Sequence, residues 1–149
     1  MIKDVLIKPL TKIPDERGCI LPMLRSDWEE FRGFGEIYFS LVYQGIIKGW
    51  HLHKKMTLNY VVVQGMIKLV LFDPREHSET KGEIQEIFLG DMKYALVQIP
   101  PGIWNGFKGI SNPHALVANC SDIPHDSSEI VRLDPFSNEI PYQWDVRHG

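Results

Sequence analysis

The sequence has few cysteines, no long apolar run and no excess of one charge. Its 149 residues contain two cysteines, Cys19 and Cys120, without the CxxC spacing of a zinc or redox site. The first residues lack an apolar signal core, and no apolar stretch approaches the roughly 20 residues that span a bilayer. We therefore expect no membrane partner and a cytoplasmic protein.

The charge pattern and the motifs that are missing exclude several functions. The 16 Lys and Arg residues against 19 Asp and Glu give a net charge of −3, and the basic residues are scattered, which disfavours nucleic-acid binding. The chain has no Walker loop, no GxGxxG fingerprint and no serine nucleophile elbow. Phosphate-loop nucleotide hydrolysis, dinucleotide binding and serine hydrolysis are disfavoured.

Short strand-like runs make up most of the chain. They are rich in β-branched and aromatic residues and are bounded by Gly, Pro, Asn or Asp. Gln64-Gly65 predicts a tight hairpin, and the best helix candidate is the short segment 26–31, with an acidic first turn. This pattern predicts an all-β barrel or sandwich in a single domain, 1–149. The predicted strands cover residues 5–7, 36–42, 58–63, 66–72, 84–89, 94–99 and 115–120.

The chemistry is concentrated in residues 45–55, where His51 and His53 are separated by one residue. On a strand, residues two apart point to the same face, so both imidazoles should lie side by side, with Lys48 and Lys55 on the opposite face or in flanking turns. Such a pair suits metal binding or proton transfer, because imidazole titrates near neutral pH. An exposed and inert pair is the simpler alternative.

A second segment, residues 99–107, contains a Pro-Pro-Gly turn, and together the two segments resemble the paired motifs of the cupin superfamily. Metal-binding cupins carry a glutamate shortly after HxH and a further histidine after the second glycine. Here Met56, Thr57 and Leu58 follow the first motif, and Asn105 replaces the histidine. We therefore predict no metal site and no oxygenase chemistry, although a metal held by His51 and His53 stays as a minor alternative.

Over most of its length the chain resembles the dTDP-4-dehydrorhamnose 3,5-epimerase family. The resemblance implies an all-β double-stranded β-helix, the cupin jelly roll, with at most one or two short helices. It also implies a nucleotide-sugar substrate, a homodimer and no cofactor. The motifs that carry it are, in chain order, DERG (15–18, family DxRG), IKGWH (47–51, family RGLH), the stretch 70–82, the block 99–107, NCSD (119–122), LDP (133–135, family NDP) and IPYQW (140–144).

The same resemblance implies site residues. His51 would be the base that removes a proton next to a 4-keto group, and Asp134 would hydrogen-bond its ring, which fixes the tautomer and raises its basicity. Asp134 is distant from His51 in the sequence, so the two side chains can meet only if the fold brings them together. The resemblance places substrate contacts at Arg17, which would bind the diphosphate, at Lys48 and Asn105, which would hold the keto oxygen, and at His53.

The chain departs from the family at several of its functional positions. Leu58 stands for a lysine, Asn105 for a histidine, and Ala118 for the tyrosine that protonates the opposite face of the sugar. Without that tyrosine we expect proton exchange or ketone migration without inversion at carbon 5, unless Tyr60 or Tyr142 substitutes for it.

Two alternatives therefore stay open. The string HLHK (51–54) resembles the dTDP-sugar 3,4-ketoisomerases, whose reaction needs no opposite-face donor. A non-catalytic sugar-binding cupin would explain the missing residues.

The cluster of His125, Asp126 and Glu129 is expected to be a surface loop.

Overall fold

The computed structural model describes residues 1–146, and within them the chain forms short β-strands joined by turns. The strands are β1 (Leu6–Pro9), β2 (Ile13–Asp15), β3 (Gly18–Ile20), β4 (Glu36–Tyr43), β5 (Ile47–His53), β6 (Leu58–Gln64), β7 (Met66–Phe72), β8 (Ile84–Gly90), β9 (Ala95–Ile99), β10 (Trp104–Gly109), β11 (His114–Ser121) and β12 (Ile130–Arg132).

Two five-stranded antiparallel sheets form the body of the molecule. Sheet A has the order β1-β9-β6-β11-β4, and sheet B has the order β12-β5-β10-β7-β8. Strands β2 and β3 form a separate hairpin. This arrangement confirms the all-β jelly roll that the sequence predicted.

The core consists of three apolar clusters. The largest lies between the two sheets and includes Leu69, Leu71 and Val97, all fully buried. Sheet B is covered on its outer side by the C-terminal segment, because Trp144 packs against Trp50 with ring centroids 5.0 Å apart. Part of sheet A is covered by the N-terminal segment, where Leu10 packs on the third cluster. Both faces of sheet B and part of the outer face of sheet A are thus packed.

The predicted Gln64-Gly65 turn joins β6 to β7. Gly65 has φ +73°, and a Cβ there would lie 2.8 Å from the backbone oxygen of His114. Its amide donates to the Asp91 carboxylate at 2.9 Å. Only glycine combines this φ with such a close approach of backbone.

The predicted helix at residues 26–31 is wrong. The segment forms successive turns, in which the Trp28 amide donates to the Arg25 carbonyl and the Phe31 amide to the Trp28 carbonyl. The Asp27 carboxylate pairs with Arg25 at 2.7 Å and so does not cap a helix. A segment this short gains too few hydrogen bonds to offset helix nucleation. Within residues 1–146, no helix is long and apolar enough to cross a membrane.

Candidate active site

A cavity of about 400 Å³ opens between the two sheets. Sheet B contributes His51 and His53 from β5, and sheet A contributes Tyr38 from β4 and Tyr60 from β6. Imidazoles therefore line one wall and phenols line the wall that faces it. A molecule held between the walls would meet both kinds of proton-transfer group.

The histidine pair lies as the HxH spacing predicted. Both imidazoles line the cavity, with His53 only 7% exposed and His51 half-buried. Lys48 lines the same cavity, although strand alternation predicted the opposite face. The pairing of β5 with β10 shifts register between Asn105 and Phe107, and this irregularity breaks the alternation between Lys48 and His51.

The Lys48 ammonium group is held at the cavity wall. It donates to the Ser40 hydroxyl at 2.8 Å and to the Leu41 carbonyl at 2.7 Å, both on β4. An ammonium group has three donors. One hydrogen is left for a ligand after these two bonds.

His53 is hydrogen-bonded through Nδ1 to the carboxylate of Glu129, a residue just before β12 that is only 3% exposed. The other carboxylate oxygen, Oε2, accepts the backbone amides of Lys54, Lys55 and Met56 at 3.0 to 3.3 Å. Burial raises the pKa of Glu129, but the hydrogen bonds from His53 and from the amides of Lys55 and Met56 outweigh it, so the net shift of the pKa is downward. The carboxylate is therefore kept ionised beside the imidazole.

His51 has a cationic neighbour instead. The Arg132 guanidinium Nη1 lies 3.0 Å from Nε2 of His51, and strand pairing places Arg132 opposite His51. Burial and then the positive charge of Arg132 lower the pKa of His51 from 6.5 to about 4, with a smaller contribution from His53. At neutral pH the His51 ring is therefore uncharged.

Asn105 is buried next to the cavity but does not line it. It is 1% exposed, its Nδ2 donates to the backbone oxygen of His51 at 3.0 Å, and its Oδ1 accepts the Tyr60 hydroxyl at 3.3 Å. Its amide thus ties β10 to β5 and to a cavity phenol. Strand pairing with His51 puts both side chains on the same face of the sheet, but the Asn105 amide is buried and already bonded at both ends, so this placement differs from the direct substrate contact that the sequence predicted.

Asp134 does not form the predicted hydrogen bond to His51 in the part of the chain that the structure describes. Its side chain is exposed and its Oδ1 accepts the Phe136 amide at 2.8 Å, which closes a turn. Leu133 exchanges backbone hydrogen bonds with Trp50, the residue whose side chain faces away from the cavity. The LDP motif follows the other family motifs in the expected order, but its aspartate is not the hydrogen-bonding partner of His51.

Arg17 also lies outside the cavity. It sits at the tip of the β2–β3 hairpin, where its side chain is 85% exposed and its guanidinium pairs with Asp15 at 2.6 Å. The hairpin itself is exposed along both strands.

The sequence did not point to three residues of the site: Tyr38 and Arg132, which line the cavity, and Glu129, which is bonded to His53. Tyr38 alternates with Glu36 and Ser40 on β4, and all three line the cavity; alternation groups them on one face but does not show that this face borders the cavity. Glu129, expected in a surface loop, is buried, and nothing in the sequence links it to His53 across 76 positions. Arg132 likewise carries no local motif.

The two tyrosines that the sequence offered as substitute donors, Tyr60 and Tyr142, lie in different parts of the molecule. Tyr60 lines the cavity, and burial is the largest of the causes that raise its pKa well above 10. Tyr142 packs instead against Trp50 and Trp144 on the outer side of sheet B. A phenol facing the histidines is therefore present, but it is not Tyr142.

The arrangement suits proton transfer at a polar ring. A buried carboxylate–imidazole pair provides a base, an ammonium group can stabilise an oxyanion, and phenols on the opposite wall can donate. Within residues 1–146, no group of three or more His, Cys, Asp or Glu side chains is placed to hold a metal ion.

Comparison with known proteins gives consistent results. The family model described as dTDP-4-dehydrorhamnose 3,5-epimerase matches residues 1–148. A protein named probable low-salt glycan biosynthesis epimerase Agl13, from Haloferax volcanii, is 32% identical over 95% of this chain and 88% of its own length. The spore coat polysaccharide biosynthesis protein SpsL of Bacillus subtilis is 35% identical over 98% of both chains.

A solved structure agrees with this assignment. The crystal structure of a dTDP sugar isomerase from Desulfovibrio desulfuricans superposes with a TM-score of 0.93 at 42% identity, covering 96% of this chain and 92% of the other. The match to the family model over nearly the whole sequence, together with the cavity and its histidine pair, leads to one assignment. The chain belongs to the dTDP-4-dehydrorhamnose 3,5-epimerase family.

Proposed function

We propose that the protein epimerises or isomerises a nucleotide-linked 4-keto-6-deoxy sugar, by proton abstraction from the carbon next to the ketone, in polysaccharide or deoxysugar biosynthesis. The observation that carries the proposal is the cavity in which His51 and His53 face Tyr38 and Tyr60 across the two sheets. The relatives named for glycan epimerisation and spore coat polysaccharide synthesis support the biological setting.

The reaction uses the acidity of a C–H bond beside a carbonyl group. The histidine pair accepts the proton, the C–H electron pair forms a C=C bond, and the carbonyl oxygen becomes an enolate. Lys48 donates its remaining hydrogen to that oxygen, where negative charge develops. No redox change occurs, so the step needs no cofactor.

Inversion requires a proton on the opposite face, and Tyr38 is our choice of donor. It belongs to the sheet that faces the histidines, and it is 40% exposed, so a ligand can reach its hydroxyl. Asn119 donates to that hydroxyl at 3.1 Å and fixes its position. Tyr60 is less accessible because it is 5% exposed and its hydroxyl is bonded to Asn105.

A homodimer forms through β4 in this proposal. β4 is the edge of sheet A, and its outward residues Ile37, Phe39 and Tyr43 are 50%, 59% and 65% exposed. Neither terminal segment covers this part of the sheet within residues 1–146. An apolar edge strand of this kind pairs readily with a second chain.

The dimer also gives Arg17 a role. Because Arg17 lies outside the cavity of its own chain, its proposed contact with the diphosphate requires the β2–β3 hairpin to reach the cavity of a second copy. We also assign the protein to the cytoplasm, which its two unpaired cysteines fit.

A 3,4-ketoisomerase is the second candidate. Two imidazoles on one wall can move a proton from carbon to the neighbouring oxygen without a group on the opposite face. The similar structure named as a dTDP sugar isomerase favours keeping this candidate.

Proton exchange in heavy water tests both. The protein is incubated with a panel of thymidine diphosphate 4-keto-6-deoxyhexoses, and NMR follows deuterium at the carbons beside the ketone and the product configuration. We expect deuterium incorporation by the wild type and none by the His51→Gln/His53→Gln double variant. Tyr38→Phe should retain exchange and lose inversion by about 10²-fold or more. Tyr94→Phe is the matched control, because the Tyr94 hydroxyl donates to the Pro22 carbonyl outside the cavity.

Each outcome separates the candidates. Migration of the ketone to carbon 3 identifies the ketoisomerase, and inversion that needs Tyr38 identifies the epimerase. A wild-type protein that binds these nucleotide sugars but exchanges no proton with any of them would contradict both and leave the sugar-binding cupin.

A further inference from the structure

We propose that the base is His53, oriented by Glu129, and that His51, bonded to Arg132, is not the proton acceptor. This inference rests on the proposed function and assigns its chemistry within the histidine pair. It replaces the His51–Asp134 dyad that the family resemblance implied. Strand β12 carries the distinction, because its register places Ile130 opposite His53 and Arg132 opposite His51.

The Glu129 carboxylate fixes the tautomer of His53. An ionised carboxylate only accepts hydrogen bonds, so the hydrogen of the His53 ring must be on Nδ1, which faces Glu129. Nε2 then carries a lone pair, and the ring lines the cavity. When Nε2 takes a proton, the imidazolium is stabilised by a buried negative charge.

Arg132 has the opposite effect on His51. A guanidinium group only donates hydrogen bonds, so the Nε2 atom that it contacts at 3.0 Å must be the acceptor. The lone pair of His51 is therefore occupied, its hydrogen is on Nδ1, and protonation would put a second positive charge beside Arg132. The His51 ring is therefore suited to remain neutral and to donate a hydrogen bond through Nδ1.

The proton balance of the step is simple. The Nε2 lone pair of His53 takes the proton from the carbon beside the ketone, and the C–H electrons form the enolate. The imidazolium, paired with Glu129, later returns the proton to carbon or to the neighbouring oxygen, and His53 is regenerated. Exchange of that proton with heavy water before its return labels the product.

The Glu129→Gln substitution is a sharp test of the His53–Glu129 pair, because the backbone amides around the carboxylate fix which way the glutamine amide is oriented. Three amides point at the Oε2 position, so the glutamine must place its carbonyl oxygen there. Its NH₂ group then faces Nδ1 of His53 and forces the hydrogen onto Nε2, the wrong tautomer for a base. Loss of the correct tautomer costs a histidine base about 10⁴-fold in rate.

Asp134→Asn is the matched control, since its exposed oxygen can still accept the Phe136 amide. We expect the heavy-water exchange rate to fall by about 10³- to 10⁴-fold in Glu129→Gln and to stay within a few-fold of wild type in Asp134→Asn. Binding of thymidine diphosphate, measured by calorimetry, should be unchanged in both. His53→Gln should lower kcat more than it changes KM.

A second measurement determines the tautomer of His53 directly and does not depend on enzymatic activity. Nitrogen-15 NMR of the wild type should show the hydrogen on Nδ1 of His53, and the Glu129→Gln spectrum should show it on Nε2. Wild-type exchange that survives in His53→Gln or Glu129→Gln but is lost in Asp134→Asn would overturn the assignment. If the wild type exchanges no proton with any probe, the proposed function fails, and the tautomer measurement still decides whether Glu129 orients His53.

Discussion

At the scale of single residues, the site depends on giving two identical side chains different environments. His51 and His53 share one strand face, yet one meets a guanidinium and the other a carboxylate, and both partners come from within three positions of each other, at residues 129 and 132. Burial and the charge of Arg132 lower the pKa of His51, whereas His53 is hydrogen-bonded to the Glu129 carboxylate. The bonding partners, more than the HxH motif, assign the roles.

The charge of Arg132 has a measurable effect on His51. The pKa of His51 should be about 4, so its ring should stay neutral as the pH falls from 8 to 5. Arg132→Gln should raise that pKa towards 6.5 without reaching it, because burial, the larger cause, is unchanged. NMR titration of the ring protons measures the shift.

Arg25→Gln, which removes an exposed arginine paired with Asp27, is the control and should leave the His51 titration unchanged. A wild-type midpoint near 6.5, or the same midpoint in Arg132→Gln, would show that the guanidinium does not contact the ring in solution.

At the scale of elements, β4 presents one face to the cavity and the other face outward. Tyr38 and Ser40 point into the cavity, while Phe39 and Leu41 point outward and are exposed. Alternation along a strand assigns the residues to the faces, but it does not show which face meets substrate. The shift in the β5–β10 pairing, which brings Lys48 to the cavity, could not be read from alternation at all.

The outward face of β4 should hold the dimer together. Phe39→Glu places a charge in the proposed apolar interface and should convert a dimer of 17.2 kDa chains to monomers in sedimentation experiments. Phe88→Glu is matched to it, because Phe88 is 48% exposed on β8, the edge of the other sheet. Dissociation by Phe88→Glu, or a Phe39→Glu variant that remains dimeric, would place the interface elsewhere.

At the scale of the whole molecule, local patterns predicted the fold well and the site in part. Apolar runs and turn residues located β1, β4, β6, β7, β8, β9 and β11, since both signals are local, but they did not locate β10. Alternation along a strand placed His51 and His53 on one face. Glu129 was read as a loop residue, because its burial depends on β12 pairing with β5 far along the chain. Asp134 was assigned through an aligned motif, which conveys order along the chain and no distance.

The central claim is that a nucleotide sugar reacts between the two sheets, and a crystal structure with a thymidine diphosphate 4-keto-6-deoxyhexose tests it most directly. We predict the sugar ring in the cavity, with the carbon beside the ketone about 3–3.5 Å from Nε2 of His53. The Tyr38 hydroxyl should lie on the other face of the ring. A sugar bound outside the cavity would contradict the central claim, and a reactive carbon that faces His51 instead of His53 would contradict the assignment of the base.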